Sequence, residues 1–194
     1  MTADCLVRFS HVSYTYEGTD TPAITDIDLE IGAGEWIALI GSNGSGKSTL
    51  AKHINALLLP SQGDCFVNGL NTKSEEGKYS ARRAVSMVFQ NPENQLIAAV
   101  VEEDVAFGPE NLGLPSEKIR ERVRWALEVS GLGEMARKPV YALSGGQKQR
   151  LALAGAIAQK SSCLVMDEAT TMLDPRGRQD LMVVLSSLHS GGMT

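Results

Sequence analysis

The stretch Gly41-Ser-Asn-Gly-Ser-Gly-Lys-Ser48 constrains this chain more than any other segment. It fits the pattern G-x-x-x-x-G-K-[ST], which has meaning only after a buried strand and before an amphipathic helix. Both flanks read that way. Trp36 to Ile40 is a short, wholly apolar run, which predicts a strand covered on both faces of a sheet. After the loop, Leu50, Ile54, Leu57 and Leu58 recur at helical spacing until Pro60. The glycines let backbone N–H groups curl around phosphate oxygens without Cβ clashes, and the helix N-terminus adds partial positive charge. Candidate nucleotide-binding residues are therefore Gly41, Ser42, Asn43, Gly44, Ser45, Gly46, Lys47, Ser48 and Thr49. In such a loop Lys47 reaches the β- and γ-phosphates and the Ser48 hydroxyl ligates Mg²⁺. The loop alone specifies only a P-loop fold, kinases and GTPases included.

The remaining chain predicts an α/β core interrupted by helices. Leu6, Arg8, Ser10 and Val12 alternate with Val7, Phe9 and His11, and Ile27, Leu29 and Ile31 repeat the period of two. Gln62-Gly63 and Asn68-Gly69 bracket a short strand, and Ala84 to Phe89 is another apolar one. From Asn91 to Leu143 the pattern turns helical, with Ile119, Val123, Ala126 and Leu127 on one face and Gly131 as a stop. Ser161 to Asp167 returns to a buried strand, and a last helix carries Leu181, Val184, Leu185 and Leu188. The expected division is a nucleotide-binding core over 1–90 and 144–194, with a helical insert over 91–143.

A second acidic element completes the phosphate chemistry. Asp167 and Glu168 follow the apolar run Cys163-Leu-Val-Met166. A carboxylate at the tip of a buried strand is poorly solvated unless something cationic faces it. That makes Asp167 the Mg²⁺ partner and Glu168 the candidate general base for an attacking water. A strand-end acid can also simply cap a helix, but the pairing with a P-loop favours the catalytic reading.

Composition excludes several partners. The net charge of −5 argues against non-specific binding of nucleic acid or anionic membrane surfaces, which need a basic face. No apolar run approaches the roughly 20 residues of a spanning helix. Cys5, Cys65 and Cys163 lack metal-type spacing and read as small apolar residues of a reducing compartment. His53 reads as facing neighbouring side chains or solvent, and His189 as a favourable charge near a helix C-terminus with no catalytic role.

Leu143-Ser-Gly-Gly-Gln-Lys-Gln-Arg150 resembles the signature of ABC-type ATPases, and Asp167-Glu-Ala-Thr-Thr-Met-Leu-Asp174 resembles their Walker B segment running into the D-loop. Gln90 stands where that family has its Q-loop glutamine, and Tyr16 where it has an adenine-stacking aromatic. The resemblance spans essentially the whole chain. It implies a P-loop core of ABC type with an N-terminal antiparallel β subdomain and a helical subdomain insert. It implies that Gln90 takes a catalytic role and binds Mg²⁺. Ser144, Gly145, Gly146 and Gln147 would complete the ATP site of an opposite subunit, with the Ser144 hydroxyl and helix-tip N–H groups presented to phosphate.

Gln90-Asn-Pro-Glu-Asn-Gln95, Val101-Glu-Glu-Asp-Val-Ala-Phe-Gly108 and Glu110-Asn111 narrow the likeness to ATPase subunits of energy-coupling factor transporters, which take up vitamins or transition-metal ions. That resemblance implies a second ATPase subunit as homo- or heterodimer partner, a transmembrane coupling subunit and a substrate-binding membrane subunit. It also implies work at the cytoplasmic face of the cell membrane, no nucleic-acid partner, and a docking role for Asn91 to Gln95. An ABC ATPase of DNA repair is the alternative; such enzymes separate their motifs by long coiled coils, for which this chain has no heptads. Family members continue into a further buried strand ending in a switch histidine, whereas this chain stops at Gly191-Gly-Met-Thr194. The expectation is therefore a fragment, poorly folded or weakly active alone.

Overall fold

The structure, a computed structural model, describes residues 5–194. Residues 1–4 of the expected core lie outside that range. The chain forms two compact units, one running through Val85 and including Gly192–Thr194, the other spanning Ser86–Gly191. The helical segment expected over 91–143 thus shares its unit with the signature and the acidic strand.

The first unit is built on a four-stranded antiparallel sheet in the order β2-β1-β3-β4, from β1 (Cys5–Tyr14), β2 (Ile24–Gly32), β3 (Gln62–Val67) and β4 (Leu70–Asn71). Register places Phe9 against Leu29 on one side and against Cys65 on the other. The period of two in β1 does not run through. Val7 and Phe9 are buried, but so is Val12, because the ladder slips between Phe9 and Val12 around His11 at φ 51. A bulge of this kind adds a residue and flips the phase of the strand. Asn68 and Gly69, at φ 51 and 77, make the two-residue hairpin turn whose left-handed backbone suits the twist of the strands. Two helices complete the unit, α1 (Lys47–Ile54) and α2 (Glu75–Ala84). Ser74 caps α2 by accepting from Gly77 N at 3.0 Å.

The strand expected over Trp36 to Ile40 is not there. These residues belong to no strand among the described residues, and the exposures of Trp36 (47%) and Ile40 (90%) are those of surface chain. An apolar run becomes a buried strand only if a neighbour supplies a hydrogen-bonding ladder and another layer covers it.

In the second unit β5 (Val85–Val88) pairs with β6 (Cys163–Met166), Asp167 N donating to Val88 O at 2.9 Å. Around them stand α3 (Val101–Asn111), α4 (Ser116–Val129), α5 (Gly145–Ala158) and α6 (Pro175–Ser190). The hub is α5. Leu151, Ala152, Leu153, Ala154, Ala156, Ile157 and Ala158 are all nearly inaccessible, so the helix is apolar around its circumference and lies inside the core. Burying each of its larger side chains contributes roughly 1.5–3 kcal/mol. Gly131 ends α4 in the left-handed conformation at φ 69, as expected of a C-terminal stop. Asp104 is a buried acid that serves the backbone, its Oδ1 accepting from Ile97 N and Ala98 N at 2.8 and 2.9 Å. Burial pushes the Cys65 thiol up to about 12 and the Cys163 thiol to about 11, so both stay protonated and pack as small apolar groups.

Candidate functional site

In the first unit the phosphate loop is shaped by contacts that only glycine permits. Gly46 caps α1 at φ 91, and a Cβ there would lie 2.5 Å from Ala23 O and 2.7 Å from Ile24 Cγ2. The loop is therefore pressed onto the start of β2. Gly44, at φ 80, has open space around it and needs glycine for its backbone alone. Ser45 N donates to Ser42 O at 3.2 Å, and Lys47 Nζ donates to Gly41 O and Ser42 O at 3.0 and 2.9 Å. The lysine so closes the loop on itself, holding its ammonium inside the curve where anionic oxygens would be met. Gly41, Ser42, Asn43, Gly44 and Ser45 are exposed, while Gly46, Lys47 and Ser48 are half-buried.

Tyr16 lies just past β1, 38% exposed, with its hydroxyl 3.0 Å from Thr49 Oγ1. Tyr14 is its edge-on neighbour, the ring centroids 4.9 Å apart. His53 is fully buried, its Nδ1 2.7 Å from Thr49 O, and desolvation holds its pKa below the usual histidine value.

In the second unit the ends of β5 and β6 bring two motifs together. Gln90 Nε2 donates to Glu168 Oε2 at 2.7 Å. Glu168 stands at φ 49, a left-handed conformation uncommon for a side chain of its size, which turns the carboxylate out of the strand direction. Its carbonyl oxygen accepts from Thr171 N and Thr171 Oγ1, at 3.1 and 2.7 Å. Asp174 then caps α6 by accepting from Gly177 N at 2.7 Å. The donation from Gln90 leaves its carbonyl oxygen available, and with the Asp167 carboxylate this offers hard oxygen donors of the kind Mg²⁺ takes. The Ser48 hydroxyl in the first unit has the same chemistry.

The signature helix begins with a capping box: Ser144 Oγ accepts from Gln147 N at 3.3 Å, and Gln147 Oε1 accepts from Ser144 N at 2.9 Å. Gln147 and a lone pair of Ser144 therefore serve the helix itself. The Ser144 hydroxyl keeps its hydrogen to donate. Gly145 and Gly146 occupy the first helical positions, whose N–H groups have no partner within a helix, and a Cβ on Gly145 would meet nothing within 4 Å. Leu143 is buried and pins this tip to the core.

Sequence reasoning named Gln95, Glu93 and Thr49 but missed the contacts they make. Gln95 sews its loop to the core, its Nε2 donating to Met87 O and Ala152 O and its Oε1 accepting from Phe89 N. Its amide is committed inward. Glu93, in the same loop, is ion-paired with Lys148 of the signature helix at 2.5 Å, which holds the Glu93 carboxyl below its usual range. The third is Thr49 as a partner of Tyr16. The Glu93–Lys148 pair has no sequence signal; the capping box did, in the spacing Ser144-x-x-Gln147.

Similarity to known proteins follows the same residues. The profile of the ABC transporter family matches residues 24–171. The energy-coupling factor transporter ATP-binding protein EcfA1 of Caldanaerobacter subterraneus subsp. tengcongensis is 50% identical over 187 residues, 95% of this chain and 68% of the relative. Curated relatives of that name are spanned over 60% to 68% of their length. Among solved structures, cbiO1 of Clostridium perfringens, part of the ABC transporter complex cbiONQ, superimposes with a TM-score of 0.84 at 37% identity, over 97% of this chain and 75% of that one. The ATP-binding cassette MJ0796, a dimer in a post-hydrolysis state with ADP and Pi, gives a TM-score of 0.87 at 28% identity, over 97% and 85%. The phosphate loop, the acidic strand end and the capped Ser-Gly-Gly helix all fall within that likeness, and the chain belongs to the ABC transporter family of ATP-binding cassettes, among its energy-coupling factor ATP-binding proteins.

Proposed function

We propose that this chain binds and hydrolyses ATP as a cassette of an energy-coupling factor uptake transporter, paired with a second cassette on the cytoplasmic face of the membrane. The reading includes a transmembrane coupling subunit and a membrane subunit that selects a vitamin or transition-metal ion. No helix among the described residues is long and apolar enough to cross a membrane.

The observation that carries the reading is the hydrogen bond from Gln90 to Glu168. It joins two motifs far apart in sequence and fixes a carboxylate by one oxygen, leaving the other to accept a proton from water. A general base must be held in reach of its proton before its basicity matters. Lys47 and the loop N–H groups bind the β- and γ-phosphates, Tyr16 stacks on adenine, and Gly145 and Gly146 of one cassette meet the nucleotide held by the other. Ser48, Gln90 and Asp167 carry the oxygens that would hold Mg²⁺ brought with ATP, and the ion would there neutralise phosphate charge.

Glu168→Gln tests this assignment. It keeps the shape and the hydrogen-bonding capacity toward Gln90 but removes the base. ATP binding persists, turnover falls by about 10²-fold or more, and a dimer accumulates in size-exclusion chromatography with ATP. Turnover unchanged from the parent removes Glu168 from the role.

A further inference from the structure

Four residues where β1 meets α1 close into a ring of contacts. The Tyr16 hydroxyl lies 3.0 Å from Thr49 Oγ1. The carbonyl oxygen of Thr49 lies 2.7 Å from His53 Nδ1, one helical turn on. The His53 ring stands edge-on to Tyr14 with centroids 5.0 Å apart. Tyr14 in turn stands edge-on to Tyr16, at 4.9 Å and 88° between planes. Thr49 and His53 are buried at 6% and 0% exposure, so half of the ring is fixed by the core, and the exposed Tyr16 is tied to it at two points.

We propose that Thr49 is a positioning residue whose side-chain hydroxyl sets the orientation of the Tyr16 ring, with Tyr14 and His53 as its backing. The inference rests on Tyr16 being the aromatic that stacks on adenine. Thr49 lies two residues beyond Lys47 on the helix that the phosphate loop opens. The link therefore makes the base platform and the phosphate loop parts of one rigid body. A loose tyrosine loses rotamer freedom when a base settles on it; a ring already held by a hydrogen bond and an edge-to-face contact has lost that freedom beforehand. Stacking itself needs only a ring, and phenylalanine would supply one. The hydroxyl is the part that stacking leaves unexplained, and Thr49 is what it touches.

The test compares dissociation constants for ATP and for inorganic tripolyphosphate, which lacks the base, by calorimetry on this chain. The readout is the ratio of the tripolyphosphate constant to the ATP constant, which general damage to the loop leaves in place. Tyr16→Phe lowers that ratio about fivefold, the effect of one neutral hydrogen bond. Thr49→Val lowers it to the same degree, the double variant lowers it no further, and Thr49→Ser restores it. A ratio unmoved by Tyr16→Phe, or effects that multiply in the double variant, overturns the proposal. Tyr16→Ala separates it from the parent reading. If Tyr16→Ala leaves the ratio at the parent value, adenine stacking on Tyr16 fails and the proposal falls with it. If Tyr16→Ala lowers the ratio while Tyr16→Phe does not, stacking stands and only the positioning role of Thr49 is lost.

Discussion

Two short apolar runs, Trp36 to Ile40 and Val85 to Val88, carry the same sequence signal and end in different environments. Every residue of the second is buried, and it is zipped to β6, with Asp167 N donating to Val88 O. The first lies exposed and belongs to no strand among the described residues. Hydrophobicity states what a segment gains by burial; a ladder partner and a covering layer decide whether it is buried. The contrast has a consequence for the phosphate loop. On its upstream side the loop hangs from an exposed run, so its shape must be held from the other side, by Gly46 against Ala23 and Ile24 and by α1 through His53.

The largest expected effect is a matched pair of substitutions that would break this contrast. Val88→Asp puts a charge without a partner at a site of 0% exposure and lowers stability by about 4 kcal/mol or more. Ile40→Asp, at 90% exposure, changes stability by about 0.5 kcal/mol or less. Urea denaturation of both variants measures the difference. Comparable losses at the two sites would mean that the first run is paired in solution.

The second effect sharpens the claim that the loop is held from downstream. Gly46→Ala drives a methyl group against the Ala23 carbonyl at a φ of 91, and costs about 2–3 kcal/mol of stability or displaces the loop. Gly44→Ala meets no atom within 4 Å and pays only for its positive φ, about 1 kcal/mol. Thermal unfolding ranks the pair. Equal costs would show that backbone conformation, and not the press against β2, is what Gly46 supplies.

These differences mark what was legible in advance. The loop, the acidic strand end and the helix tip follow from local patterns whose mechanism lies within a few residues. The stop at Gly131 was equally readable, because it acts within one turn, whereas the helix expected to run to Pro60 ends at Ile54, where Ala56 turns left-handed at φ 55. The slip of β1 at His11 was not, since a bulge depends on what the neighbouring strand does with its extra residue. Nor were the tethers of the loop after β5, because Gln95 and Glu93 find partners on elements remote in sequence. The failure at Trp36 to Ile40 is of that kind too: a strand is a property of a pair. The Gln90–Glu168 bond lies between these cases, with each residue marked by its own motif and their meeting set by the β5–β6 pairing.

The smallest effect tests the α1 side through protonation. His53 is buried, and desolvation lowers its pKa in the folded state below the ordinary 6.5. Above that pH the ring is neutral in both folded and unfolded chains and contributes no pH dependence. As the pH falls through 6.5 the unfolded chain takes up a proton that the folded chain refuses, so stability declines until the folded pKa is reached. His11 acts in the opposite sense. Its hydrogen bond to Asp26, helped by the charge of Asp28, raises its pKa, so its contribution is present at low pH and is lost as the pH rises through the raised value. Because the two overlap, the parent curve alone does not isolate either. The comparison is therefore between the parent chain and His53→Phe, which keeps a ring against Tyr14 and cannot be protonated. Between pH 7 and pH 5.5 the melting temperature of the parent falls more than that of His53→Phe, and above pH 7.5 the two curves run parallel. Curves parallel over the whole range would mean that His53 opens to solvent at little cost, and that α1 is as weakly anchored as the run upstream of the loop.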